Sequence, residues 1–261
     1  MKKLTNLIRK SIVRMHSKSG ASHSGSALSI VDILAVLYKK VLNVSPEDPL
    51  NIRRDRFILS KGHGSSALYA TLAHCGFFDL EILDGYYIDE GTLPGHLDKE
   101  VAPGIEASTG SLGHGLSIGL GMAIASKLDQ IDNKIVVLCG DGEINEGSVW
   151  EAIMFAPHAK LDNLTLIVDY NKLQSYGRTN EVVNLEPLKD KFEAFNWLAI
   201  EIDGHSFQQI EEALMIQTSK PKAIIANTVK GKGVSYMEDK FIWHYRSPNE
   251  EQLLQAYKEL K

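Results

Sequence analysis

The sequence predicts an α/β fold of three layers: a mostly parallel sheet with helices on both faces. Three observations carry this. "KIVVLC" at 134–139 and "LTLIVDYN" at 164–171 are apolar almost throughout, as strands covered on both faces must be. Between them, residues 148–160 carry apolar side chains at helical spacing, so strand, helix and strand read as a βαβ unit. "WLAIEID", a helix near 207–217 and "PKAIIANTV" then repeat the unit.

The other elements follow in chain order. "MKKLTNLIRKSIVRMHSKSG" is basic, and Arg9, Lys10 and Arg14 interrupt any apolar run, so it predicts an amphipathic first helix rather than a leader peptide. Residues 28–43 have helical spacing. Phe57–Leu59 predict a short buried strand, followed by a Gly-His-Gly turn and a helix. Residues 91–116 are rich in Gly, Pro, Ser and His and predict a long loop of the functional kind. "LSIGLGMAIASKLDQ" predicts a helix of small residues suited to close packing. The tail "SPNEEQLLQAYKEL" predicts an amphipathic helix capped near Ser247 or Asn249.

Composition bounds the function. The 261 residues carry a formal net charge of −5, with 44% hydrophobic and 23% charged side chains, ordinary for one globular domain spanning 1–261. No basic excess suggests nucleic acid, and no apolar run is long enough to span a bilayer. Cys75 and Cys139 sit in apolar contexts and read as reduced, buried thiols. The expectation is a cytoplasmic protein.

The most informative stretch is "KIVVLCGDGEINEGSVWEAI", residues 134–153. A strand ends in Gly140-Asp141-Gly142, and Asp141, Glu143 and Glu146 crowd the turn before a helix. Ligands of parallel sheets bind beyond the carboxyl ends of the strands, and a helix start favours phosphate. Phosphate beside carboxylates is sensible when a hard divalent cation lies between them. The next strand end supplies Asp169 and Asn171, a helix and a strand away from Asp141. A plain turn, with Ser148 and Glu151 as a capping box, is the competing account of the same residues.

Gly-Asp-Gly followed by Asn on the next strand resembles the thiamine-diphosphate fingerprint, and "GDGEINEGSVWEA…NLTLIVDYNKLQ" is similar to the transketolase family. The resemblance implies the thiamine-diphosphate-binding fold, as its diphosphate-binding domain. It implies Mg²⁺ (Ca²⁺ or Mn²⁺ in its stead) on Asp141, Asn171 and the Leu173 carbonyl, with Gly142 and Asn171 meeting the cofactor. Glu146 and Glu151 match positions in an acidic network linking active sites, although the capping box stays open for Glu151.

Four histidines lie in motifs similar to those of the family: His23 in "KSGASHSGSALS", His63 in "LSKGHGSSALYA", His96 in "LPGHLDKEV" and His244 in "MEDKFIWHYRSP". Neutral imidazole both donates and accepts, which suits sugar hydroxyls and proton transfer. The resemblance implies that His63 and His244 face the diphosphate. His23, His96 and His244 would bind and protonate a ketose, with Glu146 assisting. Ser26, Gly110, Ser111, Leu112 and Lys230 match cofactor-contacting positions. Where the family commonly has Gly before the first His, this chain has Ser22. His114 is unassigned, Lys232 reads as a solvated basic turn, and His16, His74, His158 and His205 read as ordinary residues.

The resemblance covers about residues 5–250 but only the first part of the family's architecture. It implies a partner subunit supplying the pyrimidine-binding half, in an α2β2 assembly acting on sugar phosphates of the pentose phosphate type. Two other readings stay open. One is another thiamine-diphosphate enzyme, acting on an unusual sugar or making deoxyxylulose phosphate; the other is a non-catalytic cofactor binder. No G-x-G-x-x-G opens a helix after an early strand, which argues against a Rossmann dehydrogenase.

Overall fold

The computed structural model describes residues 1–261. Five strands form one sheet in the order β1-β2-β3-β5-β4, and every neighbouring pair is parallel. They are β1 (Arg56–Leu59), β2 (Ile135–Gly140), β3 (Leu164–Tyr170), β4 (Leu198–Asp203) and β5 (Lys222–Asn227). The helices are α1 (Lys2–Ser19), α2 (Ser24–Leu28), α3 (Val31–Val36), α4 (Ser65–His74), α5 (Gly115–Leu128), α6 (Gly147–His158), α7 (Thr179–Val182), α8 (Leu188–Ala194), α9 (Phe207–Met215) and α10 (Glu250–Glu259).

Side-chain alternation explains why the central strands are apolar throughout. Val136 and Leu138 of β2 join a core with side chains of α1, α3, α4, α9 and α10. Ile135, Val137 and Cys139 join a second core with those of α5, α6 and α8. Each face of the sheet is therefore buried, and a polar residue at either parity would lose its water. Cys139 is buried and Cys75 half-buried, and both are free. No helix is long and apolar enough to cross a membrane.

The predicted helix 28–43 is broken. Helix α2 ends at Leu28, α3 runs from Val31 to Val36, and a wider π-type turn covers Leu37–Val41. Ser29 contributes to the first break: its single hydroxyl proton lies between the Ser26 carbonyl at 3.0 Å and the Asp169 carboxylate at 2.7 Å. Residues 27–37 are all buried, so no solvent-facing stripe keeps the helix straight. At the tail the cap is Asn249 rather than Ser247. Asn249 accepts from Gln252 N at 2.9 Å while Gln252 Oε1 accepts from Asn249 N at 3.0 Å, and α10 starts there. The predicted loop is longer than expected. Between α4 and α5 only a 3₁₀ turn at Leu80–Gly85 is regular, yet Leu83, Tyr86, Leu93, Leu97 and Ile105 are buried and hold it against the core.

Candidate active site

The carboxyl ends of β1, β2, β3 and β5 open on one cleft of about 370 Å³. The three acids of the 140–147 turn part company there. Asp141 lines the cleft. Glu143 also borders the cleft, but its carboxylate is engaged, accepting from Ser60 Oγ, from Gly113 N at 2.9 Å and from Gly140 N at 3.1 Å, so it ties the Gly110–Gly113 loop to two strand ends. Glu146 is exposed at the N-cap of α6, outside the cleft wall. Their mutual repulsion is relieved by direction: one faces a site, one is tied by hydrogen bonds and one faces water.

Asp141, Asn171 and Leu173 all line the cleft. Burial, and then the nearby Asp169 carboxylate, push the Asp141 acid up to about 6. Its oxygens accept only from Gly142 N and Lys172 N, each at 2.7 Å, and it has no ion-pair partner. Asn171 Nδ2 donates to Asp169 at 3.0 Å, which orients the amide and leaves Oδ1 accepting from Leu173 N at 3.1 Å. The Leu173 carbonyl accepts from Lys230 Nζ at 2.8 Å and keeps a second lone pair. One buried carboxylate, one amide oxygen and one carbonyl form an oxygen set that fits a hard divalent cation.

His23, His63, His96 and His244 meet in the same cleft. The His23 ring centroid lies 4.7 Å from that of His244, 5.1 Å from His63 and 6.1 Å from His96. His23 has a left-handed backbone at φ 76° and enters α2, with its N–H donating to the His244 carbonyl at 3.0 Å. Ser22, which replaces the expected Gly, bonds His23 Nδ1 through its hydroxyl at 3.0 Å. Burial, followed by the nearby imidazoles and lysines, lowers His23 to about 4 and His244 to about 3, and holds His63 well below the usual range. These imidazoles are therefore neutral at pH 7. His96 is exposed, on the rim.

Residues 1–259 match the thiamine diphosphate binding domain of transketolase. The chain belongs to the transketolase family. It is 44% identical to the 6-deoxy-6-sulfo-D-fructose transketolase subunit of a Clostridium species, over 98% of this chain and 94% of that protein. It is also 44% identical to a subunit of the apulose-4-phosphate transketolase of Phocaeicola vulgatus, over 97% of this chain and 90% of that protein. The crystal structure of Campylobacter jejuni transketolase superposes with a TM-score of 0.93 at 34% identity, over 99% of this chain but 42% of the other. The chain thus has the length of the transketolases named as subunits and spans less than half of that full-length one.

Of the residues picked out as transketolase-like, Ser26, Gly110, Leu112, Gly142 and Lys230 also line the cleft. Ser111 does not: it is exposed, and the cleft wall passes through its neighbours. Glu151 is exposed on α6, and Ser148 makes no capping box, because its hydroxyl donates to the Gly113 carbonyl at 2.9 Å. Lys232 pairs with Glu238 at 3.6 Å, away from the cleft.

Lys61 and Gln174 also line the cleft, inside motifs that assign them no role. Lys61 is 1% exposed, and its Nζ donates to Asp169 Oδ2 at 2.6 Å and to the Ser26 carbonyl at 2.8 Å. Burial opposes the Asp169 charge, but Lys61 and the Thr228 and Ser29 hydroxyls outweigh it and hold the acid below its usual range. Gln174 lies against Gly142 in the same wall. The signal for Lys61 is a cation directly between an apolar strand and a Gly-His-Gly turn, at a strand end where ligands bind.

Proposed function

We propose that this chain, acting as one domain over residues 1–261, is the diphosphate- and metal-binding subunit of a two-subunit transketolase. In this reading it transfers a two-carbon ketol unit from a ketose phosphate to an aldose phosphate. What carries the reading is the convergence, at one strand-end cleft, of the Asp141–Asn171–Leu173 oxygen set, the two buried lysines Lys61 and Lys230, and four imidazoles. Metal ligands and anion-binding cations side by side suit a metal-bound diphosphate. Neutral imidazoles suit a polyhydroxy substrate.

Asp141, Asn171 and Leu173 hold Mg²⁺, or Ca²⁺ or Mn²⁺ in its place. Gly142 and Gly110 let the backbone approach the cofactor. Ser26, His63, Leu112 and Lys230 contact it, with Asn171 serving both metal and cofactor, whereas Ser111 faces away from the cleft. Bound thiamine diphosphate supplies the carbon nucleophile for carbon–carbon cleavage. His23, His96 and His244 hold the sugar hydroxyls and move protons, and Glu146 and Glu151 form an acidic link between sites. Lys230, which burial brings down to about 8, can donate a hydrogen bond to the His244 Nδ1 at 3.3 Å.

The partner chain supplies the pyrimidine-binding half, in a cytoplasmic α2β2 assembly. The relatives' names point to unusual ketoses, so the substrate class extends beyond the pentose phosphates. Native mass spectrometry of the complex from its own cells, with Mg²⁺, tests this. Two copies of each chain with two thiamine diphosphates support it, and ketol transfer by this chain alone refutes it. His96→Ala separates enzyme from mere binder: catalysis falls while cofactor binding persists.

A further inference from the structure

We propose that His205 is a positioning residue for the cleft, acting through the Val229–Lys232 turn to place Lys230. The inference rests on the reading of Lys230 as a diphosphate contact. His205 follows β4 and lies outside the cleft wall. Its Nε2 is 2.9 Å from Val229 N. A backbone N–H only donates, so Nε2 is the bare acceptor. Its Nδ1 is 2.8 Å from Asp32 Oδ2, an acceptor, so Nδ1 carries the proton. The two partners fix one neutral tautomer.

The same Asp32 oxygen also accepts from Arg9, whose Nη2 lies 2.6 Å away. Arg9 in turn donates through Nε to the Lys232 carbonyl at 3.0 Å. One buried carboxylate thus grips the turn at both ends, through Val229 N and through Lys232 O. Lys230 lies between the grips. The turn has left the sheet after β5. It contains Gly231 at φ +81° and is followed by Gly233 at φ +93°, residues with wide backbone freedom. Lys230 is 2% exposed and has to enter the cleft at a fixed angle to reach the Leu173 carbonyl and His244. The Asp32 cluster, built from α1, α3 and the β4–α9 turn, gives a flexible turn that angle.

A purely structural cluster would affect folding but would not be coupled to Lys230. The test is titration of thiamine diphosphate with Mg²⁺ into the full chain, in complex with its partner where the two co-purify. Binding is read by calorimetry and the folded state by thermal melting. Asn keeps the donor to Asp32 but does not reach Val229 N–H, so H205N weakens binding about five- to tenfold, the worth of one hydrogen bond. Gln reaches Val229 with Oε1, so H205Q binds nearly as wild type. H205N/K230M binds no worse than K230M alone, because both act through one side chain.

Wild-type binding by H205N, or losses that add in the double variant, overturns the inference while leaving the reading of Lys230 intact. Wild-type binding by K230M overturns that reading and the inference with it. Should H205N fail to fold, R9K asks the same question from the other end. It frees the Lys232 carbonyl while keeping a cation at Asp32, and its loss must likewise vanish in the K230M background.

Discussion

Replacing Asp141 with Asn should stabilise the cofactor-free chain while abolishing its response to metal. The Asp141 acid titrates near 6 in the folded chain against a usual 3.8. Holding it ionised above pH 6 therefore costs the folded state about 3 kcal/mol. Asn removes that cost but has one acceptor oxygen, so it gives up one of the bonds from Gly142 N and Lys172 N, about 1 kcal/mol. The net gain at pH 8 is about 2 kcal/mol. The sign depends on pH. The unfolded acid ionises first, so the penalty is complete above the folded value near 6 and absent below about 4. D141N should be the more stable protein at pH 8, lose its advantage between pH 6 and 4, and be the weaker by about 1 kcal/mol at pH 4. Urea denaturation in EDTA at three pH values measures this. With Mg²⁺ and thiamine diphosphate the wild type alone should gain stability. A less stable D141N at pH 8, or a difference independent of pH, would refute the reasoning.

Lys61→Met strands the Asp169 carboxylate, now paired at 2.6 Å in a fully buried site, and should cost about 3–5 kcal/mol in urea denaturation. Adding Asp169→Asn should recover part of that loss. Gly62→Ala brings a Cβ to 2.7 Å from the Thr109 carbonyl carbon and 2.8 Å from Gly110 N. It should cost about 1–3 kcal/mol and weaken thiamine diphosphate binding measured by fluorescence quenching. In a D141N background, which removes one of the opposing acids and leaves Glu106 and Glu143, stability should fall as pH drops below about 6.5 because the histidines outnumber them. The unfolded state then takes up protons that His16 and His23 refuse until about 4 and His244 until about 3. Equal unfolding free energies at pH 7.5 and 5 would contradict this.

Much of the fold is legible in the sequence because burial on both faces leaves its mark on composition. Runs such as Ile135–Cys139 have no solvent-facing parity and so announce a covered parallel sheet. The acidic turn and Asn171 are legible because strand ends in such sheets meet. The break after Leu28 is not, since it depends on Ser29 finding Asp169, a contact 140 residues away. The engagement of Glu143 is hidden for a related reason. Spacing places three acids in one turn, but the direction of each is decided by its partners, here Ser60, Gly113 and Gly140. Lys61 goes unassigned in the sequence because its counter-ion lies on a strand two positions across the sheet. Ser111 and Glu146 are suggested by motif, and the backbone turns both outward.

The strand order also dictates when the cleft comes into being. Strands β2 to β5 lie within residues 135–227, whereas β1 reaches β2 only by pairing Arg56 with Ile135. Closing so long a loop is entropically costly, and non-local parallel pairing is slow. The acidic half of the cleft belongs to the later segment, while His23, Lys61, His63 and His96 belong to the earlier one. During refolding, helical content should therefore rise before cofactor affinity does, and Asp169 should gain its lysine only when β1 docks. Cofactor capture should then report completed folding, and a partner that engages the assembled cleft would meet complete molecules rather than partly folded ones.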